Sequence, residues 1–246
     1  MRRRDLAMAV IGLLIGWQVL ALLLHTRVLP GPWPVALAFV GAIPRGLGWH
    51  FLVSAWRVVA SIVLAMGTAV PAGLALGQSR ALDRVFKPLV YFLYPIPKIV
   101  FLPVLLLLLG IGDVSKIVMI YLVLFFQVLV VVRDEAAALR PELLYSVRSL
   151  GAGRRALFRF VYLPATIPAA LTALRVSIGT AVAVLFFAES FATTSGLGYY
   201  IIVDSWGRLA YPEMYAGVAA MSLLGLLLYF AVDRLERRLA PWMRET

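Results

Sequence analysis

Long apolar runs alternate with short polar segments along the chain, and the runs exceed the apolar stripe of an ordinary soluble helix. A bilayer core asks for about 20 predominantly apolar residues per helix. Windows of that size predict spans at residues 6–24, 52–77, 88–110, 116–132, 164–188 and 215–232. An even number of crossings puts both termini on one side. The pattern reads as an all-α integral membrane protein, one transmembrane domain over residues 1–246, with about six transmembrane helices and no internal repeat of the inverted-transporter kind.

Three polar interruptions qualify this picture. Residues 25–51 hold Pro30, Pro32, Pro34 and Pro44 with Trp33 and Trp49, a mixture suited to the headgroup region, and predict a segment lying along the outer surface. The third span carries Pro95, Pro97 and Pro103. Each removes a backbone donor, so Tyr94-Pro95-Ile96-Pro97-Lys98 predicts a break, either facing a neighbouring subunit or pathway or packed as a simple kink. Residues 189–213, with Ser195-Gly196-Leu197-Gly198, are too polar to span and predict an outer loop with a short interfacial or re-entrant helix.

Composition agrees with a lipid-solvated chain: 63% of the 246 residues are hydrophobic and 14% charged, against about 25% charged in soluble domains. The net charge of +11 would suggest nucleic acid in a soluble protein. Here the cations punctuate apolar runs instead, and they report topology, with no nucleic-acid partner. With the amino terminus inside, 16 of the 23 Lys and Arg residues fall in inner segments, among them Arg2, Arg80, Arg84, Lys87, Arg133, Arg140, Arg159 and Arg244. The outer side keeps Arg27, Arg45, Lys116 and Arg208. The 19-residue apolar stretch after Arg2-Arg3-Arg4 is longer than a signal-peptide core of about 7–15 and lacks a small-x-small cleavage site, so it reads as a first span. With no Cys, there is no disulfide framework or thiol nucleophile, and His25 and His50 lack partners at metal-ligand spacing. No phosphate-binding glycine loop occurs either, so ATP must bind elsewhere.

Between the fourth and fifth spans, residues 133–163 are far longer than a helix-to-helix turn needs. Pro141-Glu142 can open a helix, with proline early and the acid near the positive end of its dipole. Leu143, Leu144, Val147 and Leu150 recur at helical spacing, Gly151-Ala152-Gly153 interrupts, and Arg154 to Tyr162 resumes as an amphipathic helix that Leu163-Pro164 closes. Ser149-Leu150-Gly151-Ala152, followed by Val161-Tyr162-Leu163-Pro164, resembles the cytoplasmic signature of binding-protein-dependent ABC importer permeases. The Gly to Leu-Pro spacing matches. The signature's Glu and two Ala fall on Tyr145, Ser146 and Val147, while the literal Glu135-Ala136-Ala137 stands ten residues too early. Pro95 to Lys98, Gly110 to Asp113, Leu174-Arg175-Val176 and Ala188-Glu189 with the later Gly-Leu-Gly resemble the nitrate, sulfonate, taurine and pyrimidine-precursor branch.

The resemblance implies a permease subunit, not an enzyme, in a bacterial plasma membrane with both termini cytoplasmic. It pairs with a second permease chain, expected to be a copy of itself, two cytoplasmic ATPase subunits that bind ATP and Mg, and an external solute-binding protein. It also implies that a coupling helix in residues 133–163 docks in the ATPase through Glu142, Arg148, Ser149, Leu150, Gly151, Ala152, Gly153, Arg154 and Arg155, with the Cβ-free corner allowing close approach. A secondary transporter or channel is the alternative, and it would leave the long inner loop unexplained.

Four ionisable residues lie inside or at the ends of apolar runs, where a charge costs at least about 2.5–3.5 kcal/mol. Arg57, Lys98, Arg175 and Glu189 are therefore pathway candidates. Each has a structural counter-reading. Arg175 can snorkel or pair with another helix, Lys98 can cap carbonyls freed by the prolines, and Glu189 can pair with a cation such as Arg208.

Overall fold

Backbone amides in hydrocarbon find no water, so a span must satisfy them internally. The computed structural model describes residues 3–241, and every element among them is helical. Arg2 and Arg244, counted among the inner cations, lie outside the described residues. The elements are α1 (Arg3–Leu24), α2 (Pro32–Ala42), α3 (Gly48–Gln78), α4 (Arg80–Leu93), α5 (Leu102–Leu109), α6 (Asp113–Ala137), α7 (Pro141–Ser149), α8 (Arg154–Leu157), α9 (Leu163–Ser190), α10 (Leu197–Tyr199) and α11 (Tyr211–Leu239).

Among the described residues, four helical stretches are long and apolar enough to cross a bilayer: Pro32–Gln78, Asp113–Ala137, Arg154–Ser190 and Tyr211–Leu239. A fifth crossing would be the pair Arg80–Leu93 and Lys98–Leu109, bent by 81°. The apolar part of α1, Met8–Leu24, is shorter than these. Within the apolar stretch of each of the four, 33% to 44% of residues are buried. The rest of each surface is left for lipid or another chain.

Several boundaries differ from the sequence reading, each for a local reason. Residues 25–51, expected as a segment along the outer surface, contain a helix, with Pro32 and Pro34 in the first turn of α2, where a missing N–H costs nothing. A π-helical turn, Ile43–Leu47, then joins α2 to α3, with Gly46 at φ 120° marking the kink. The window at 88–110 is two arms: the first starts at Arg80, capped by the Ser79 hydroxyl accepting from Leu82 N, and the chain breaks at Tyr94 to Pro97. The loop at 133–163 is shorter than expected at both ends. Helix α6 runs on to Ala137, and Leu163-Pro164 closes no helix, since the π-helical turn Phe158–Tyr162 carries the chain from α8 into α9. The wider turn lets Leu163 N reach Phe158 O, so Pro164 enters without breaking the helix.

The described residues fall into two compact units. The first takes the chain up to Ala55 and Glu189–Leu224, the second Trp56–Ala188 and the chain from Gly225. In the second unit α3 meets α6 through glycines four residues apart. A Cβ on Gly73 would stand 2.9 Å from Val132, and one on Gly77 would stand 2.6 Å from both Ala136 Cβ and Arg133 O. Only hydrogen fits, so the backbones touch. Around this seam lies the core, with Leu74 and Leu76 of α3, Val90 of α4, Val128 and Val132 of α6, Leu157, Val161 and Ala170.

In the first unit the start of α10 is held by side chains. Gly196 N donates to His50 Nδ1 (3.0 Å), Leu197 N to Ser54 Oγ (2.7 Å) and Gly198 N to Glu189 Oε2 (3.1 Å), which also accepts from Ser54 Oγ (2.7 Å). Three successive amides at a helix start thus find acceptors, one of them a buried carboxylate. Gly196 has φ 111°, and a Cβ there would lie 2.3 Å from the Glu189 carboxyl carbon.

Candidate functional site

Helix α7 starts where its sequence dictates, with Pro141 at the first position, Glu142 in the first turn and an extended Arg140 before it. Leu144 and Val147 pack on the core of the second unit. Their neighbours at helical spacing turn away, Tyr145 being 66% and Leu150 84% exposed. After Leu150 the chain turns at Gly151, φ 81°, whose N–H closes onto Arg148 O at 2.9 Å, before α8 begins at Arg154. Of the nine residues expected to couple, Glu142, Arg148, Ser149, Leu150, Gly151, Gly153, Arg154 and Arg155 are exposed and Ala152 is half-buried. The corner is a surface with an apolar tip and a basic rim. A Cβ on Gly151 would meet nothing within 4 Å, so the glycine answers to its positive φ and not to crowding.

Two cavities in the second unit share Tyr94 and Gln127. One, of about 560 Å³, is bordered by Glu135 of α6 and by Pro168, Thr172, Val176 and Ser177 of α9. The other, of about 320 Å³, adds Lys98, Val123 and Phe126 with Thr180 and Val184. The α9 residues recur every three to four positions, so one face of α9, carrying three hydroxyls, runs along both cavities. The Gln127 carboxamide oxygen is buried with no hydrogen-bond partner among the described residues.

Of the four ionisable candidates, only Lys98 borders these cavities. Its ammonium donates to Leu93 O (2.9 Å) and Tyr94 O (2.5 Å), carbonyls beside the proline break, and sits 4.7 Å from the Phe126 ring centre. Arg57, 2% exposed, donates through Nε and Nη2 to Asp113 Oδ1 at 2.9 and 2.6 Å. Nearby Lys116, expected at the outer surface, is fully buried and its ammonium donates to Ile111 O and Gly112 O, closing the turn before α6. Arg175 lies 3.1 Å from both Asp233 and Glu236, and Thr172 also donates to Glu236 (2.9 Å). Glu189 belongs to the α10 cap, whereas Arg208, suggested as its partner, pairs with Asp204 at 3.0 Å. Arg133, assigned to the inner loop, is a buried helical residue whose guanidinium bridges Asp83 (2.6 and 3.0 Å) and Asp134 (2.8 Å).

Residues 62–245 match the model of the family described as binding-protein-dependent transport system inner membrane component. The chain belongs to this family. It is similar to the taurine transport system permease protein TauC of Escherichia coli, 32% identical over 95% of this chain and 87% of the relative. It is likewise similar to the putative aliphatic sulfonates transport permease protein SsuC of Bacillus subtilis, 30% identical over 92% and 83%. The formylaminopyrimidine transport permease protein ThiX of Halalkalibacterium halodurans is 24% identical over 95% and 93%. Among solved structures, an inward-facing MetNI methionine ABC transporter chain superposes with a TM-score of 0.63, at 20% identity, covering 78% of this chain and 95% of that one. That likeness concerns the fold.

As a member of this family the chain is a multi-pass permease subunit of an ABC importer and not an enzyme. A secondary transporter or an autonomous channel is thereby set aside. The resemblance to the sulfonate and taurine branch, read from Pro95 to Lys98 and the glycine motifs, holds. What the sequence reading missed was the acids: Asp83, Asp113, Asp233 and Glu236 were not paired with the cations they neutralise. The signal was present, since an ion inside a span needs a partner, and Asp233 and Glu236 stand three residues apart, one helical turn, at the far end of an apolar run. Gln127, Thr172, Ser177 and Thr180 were missed for a different reason. Single uncharged polar residues in an apolar run have no periodic mark until the cavity they face is known.

Proposed function

We propose that this permease subunit carries a small sulfonate-type organic anion into the cell. The observation that carries the reading is the exposed corner after α7: an apolar tip at Tyr145 and Leu150, a glycine held at positive φ, and Arg148, Arg154 and Arg155 around it. Leu150 stands 84% exposed at the tip, and burying it against a partner is worth about 1.5–3 kcal/mol. The partner is a cytoplasmic ATPase, two copies per importer, holding ATP and Mg. The pathway runs along the hydroxyl-bearing face of α9 and is completed by a second copy of this chain. Lys98 has two of its three N–H donors on carbonyls and offers the third to the passing anion. An external binding protein delivers the solute. The sulfonate class follows the printed substrates of the two relatives at 30% identity or more.

In this reading α1 and the bent pair join the four long helices to give six spans, with both termini in the cytoplasm of a bacterial plasma membrane. The test is capture of the ATPase by tagged permease in mild detergent. Wild type is expected to retain it in stoichiometric amount, Leu150→Glu to lose at least about tenfold of it, and Gly151→Trp to lose it as well. Leu150→Glu removes no internal packing, so its thermal midpoint should match wild type. Unchanged capture by Leu150→Glu would refute the docking surface.

A further inference from the structure

Towards the carboxyl end of α11 the second unit has a cavity of about 670 Å³ that the transport reading does not use. In chain order its lining is first apolar, with Leu227, Phe230 and Ala231, and then charged, with Asp233, Arg234, Arg237 and Arg238. Positions 227, 230, 231, 234 and 238 follow the i, i+3, i+4, i+7 series, so they share one face of one helix and their order along its axis is fixed. Leu227 and Phe230 are more than half exposed, and the three arginines are exposed too. Asp233 is already neutralised. It meets Arg175 at 3.1 Å and Arg237 at 2.9 Å, and Arg175 also meets Glu236 at 3.1 Å, so two cations and two acids close that network at zero charge. Arg234 and Arg238 stand outside it. They lie one helical turn apart with no ion-pair or hydrogen-bond partner among the described residues, and like charges at that spacing repel.

We propose that this face of α11 binds one anionic phospholipid, its phosphate held by Arg234 and Arg238 and an acyl chain lying along Leu227 and Phe230. Length agrees. The 11 residue steps from Leu227 to Arg238 rise about 16 Å at 1.5 Å each, the depth of one leaflet, half of a bilayer core about 30 Å thick. Arginines at this end of a span also suit the helix dipole and the topology, but neither asks for an apolar groove leading to them. Charge decides between occupants. A guanidinium fork can meet a phosphate with two parallel hydrogen bonds. A second copy of this chain would bring the same two cations to a shared two-fold contact and be repelled. Free phosphate would use the arginines and leave Leu227 and Phe230 bare. A zwitterionic phospholipid would carry a cation of its own towards the arginine pair, so the site selects a headgroup of net negative charge. The inference needs α11 to span the bilayer and does not depend on which solute is carried.

The test uses the full-length permease, stripped of lipid in mild detergent, titrated with phosphatidylglycerol or phosphatidylcholine and read by native mass spectrometry. Phosphatidylglycerol should be retained at least about tenfold better than phosphatidylcholine. Arg234→Gln with Arg238→Gln should abolish that preference, and Phe230→Ala should weaken retention of both lipids while keeping it. Arg80→Gln with Arg84→Gln, the same loss of charge from exposed positions on α4, should change nothing. All these side chains are exposed, so thermal midpoints without lipid should match wild type. Each single arginine variant should give part of the loss, which decides the matter if the double variant does not fold. Equal retention of the two lipids would overturn the site, as would an unchanged preference in the arginine variants. An equal loss in the α4 variant would overturn it by reducing the effect to overall charge. Displacement of the lipid by inorganic phosphate would overturn it in favour of a soluble anion. Full lipid preference in the double variant with loss of ATPase capture would overturn it in favour of a protein docking face. Because the readout is lipid retention, failure of the wild type to capture an ATPase counts against the transport reading and leaves this site standing.

Discussion

Gly151 and Gly153 look interchangeable as letters on either side of Ala152, yet the backbone asks different things of them. Gly151 stands at φ 81°, where an L side chain costs about 1–2 kcal/mol, whereas Gly153 sits at φ −77° with open space around it. Gly151→Ala should therefore lower thermal stability in detergent and weaken ATPase coupling in proteoliposomes, and Gly153→Ala should leave both near wild type. Equal effects of the two substitutions would show that the corner geometry is unimportant. Arg57 shows the other side of residue-scale reasoning. Its place in an apolar run marked it as a pathway candidate, and the structure gives it the carboxylate of Asp113 at 2.6 Å, without which a buried guanidinium costs several kcal/mol.

Among elements, the tightest constraint is the seam of α3 on α6. Gly77 faces Ala136 Cβ and Arg133 O at distances no side chain tolerates, and Arg133 is also the residue that ties α6 to Asp83 of α4. Gly77→Val should push α3 from α6 and disturb that ion pair, costing about 1–3 kcal/mol by overpacking. Gly67→Ala, where an added Cβ meets nothing within 4 Å, is the comparison that should cost nothing. Fluorescence-detected thermal unfolding in detergent distinguishes them. The bent pair α4 and α5 follows the same logic of local compensation. Pro97 cannot supply the helical donor to Leu93 O, so Ile96 N (3.3 Å) and the Lys98 ammonium serve that carbonyl, and the ammonium reaches Tyr94 O as well.

For the whole molecule the open question is how often the chain crosses, and the absence of cysteine makes the measurement direct. Single cysteines replacing Arg4, Arg27, Leu150, Arg208 and Arg238, all exposed, should divide cleanly toward a membrane-impermeant maleimide applied to intact cells. With six spans, positions 27 and 208 react and positions 4, 150 and 238 are protected until the membrane is opened. If position 4 reacts in intact cells while 238 is protected, α1 does not cross and the count is five.

How far a sequence reading carries here depends on the range of the interaction. The apolar runs, the proline break at 94–97, the helix opening at Pro141 and the glycine corner were legible, because hydropathy, lost backbone donors and turn chemistry are local properties of consecutive residues. The family was legible because the Gly151 to Leu163-Pro164 spacing survives even where Tyr145, Ser146 and Val147 replace its first residues. The bounds of the elements were less so: the proline-rich segment at 25–51 gave no sign that Pro32 and Pro34 start a helix, and a π-helical turn carried the chain past Pro164. Partners were beyond reach. Whether Arg57 faces Asp113, whether Lys116 is buried on carbonyls, and which glycine touches a neighbouring helix are set by contacts between residues tens of positions apart, and one helix presents the same letters whichever way it is turned. The sequence by itself determined that this protein lives in a membrane as helices and belongs to an importer. Tertiary structure decided which of its charges are spent on holding those helices together, as at Arg57, Arg133 and Arg175, because ion pairing in low dielectric is decided by distance and not by order along the chain.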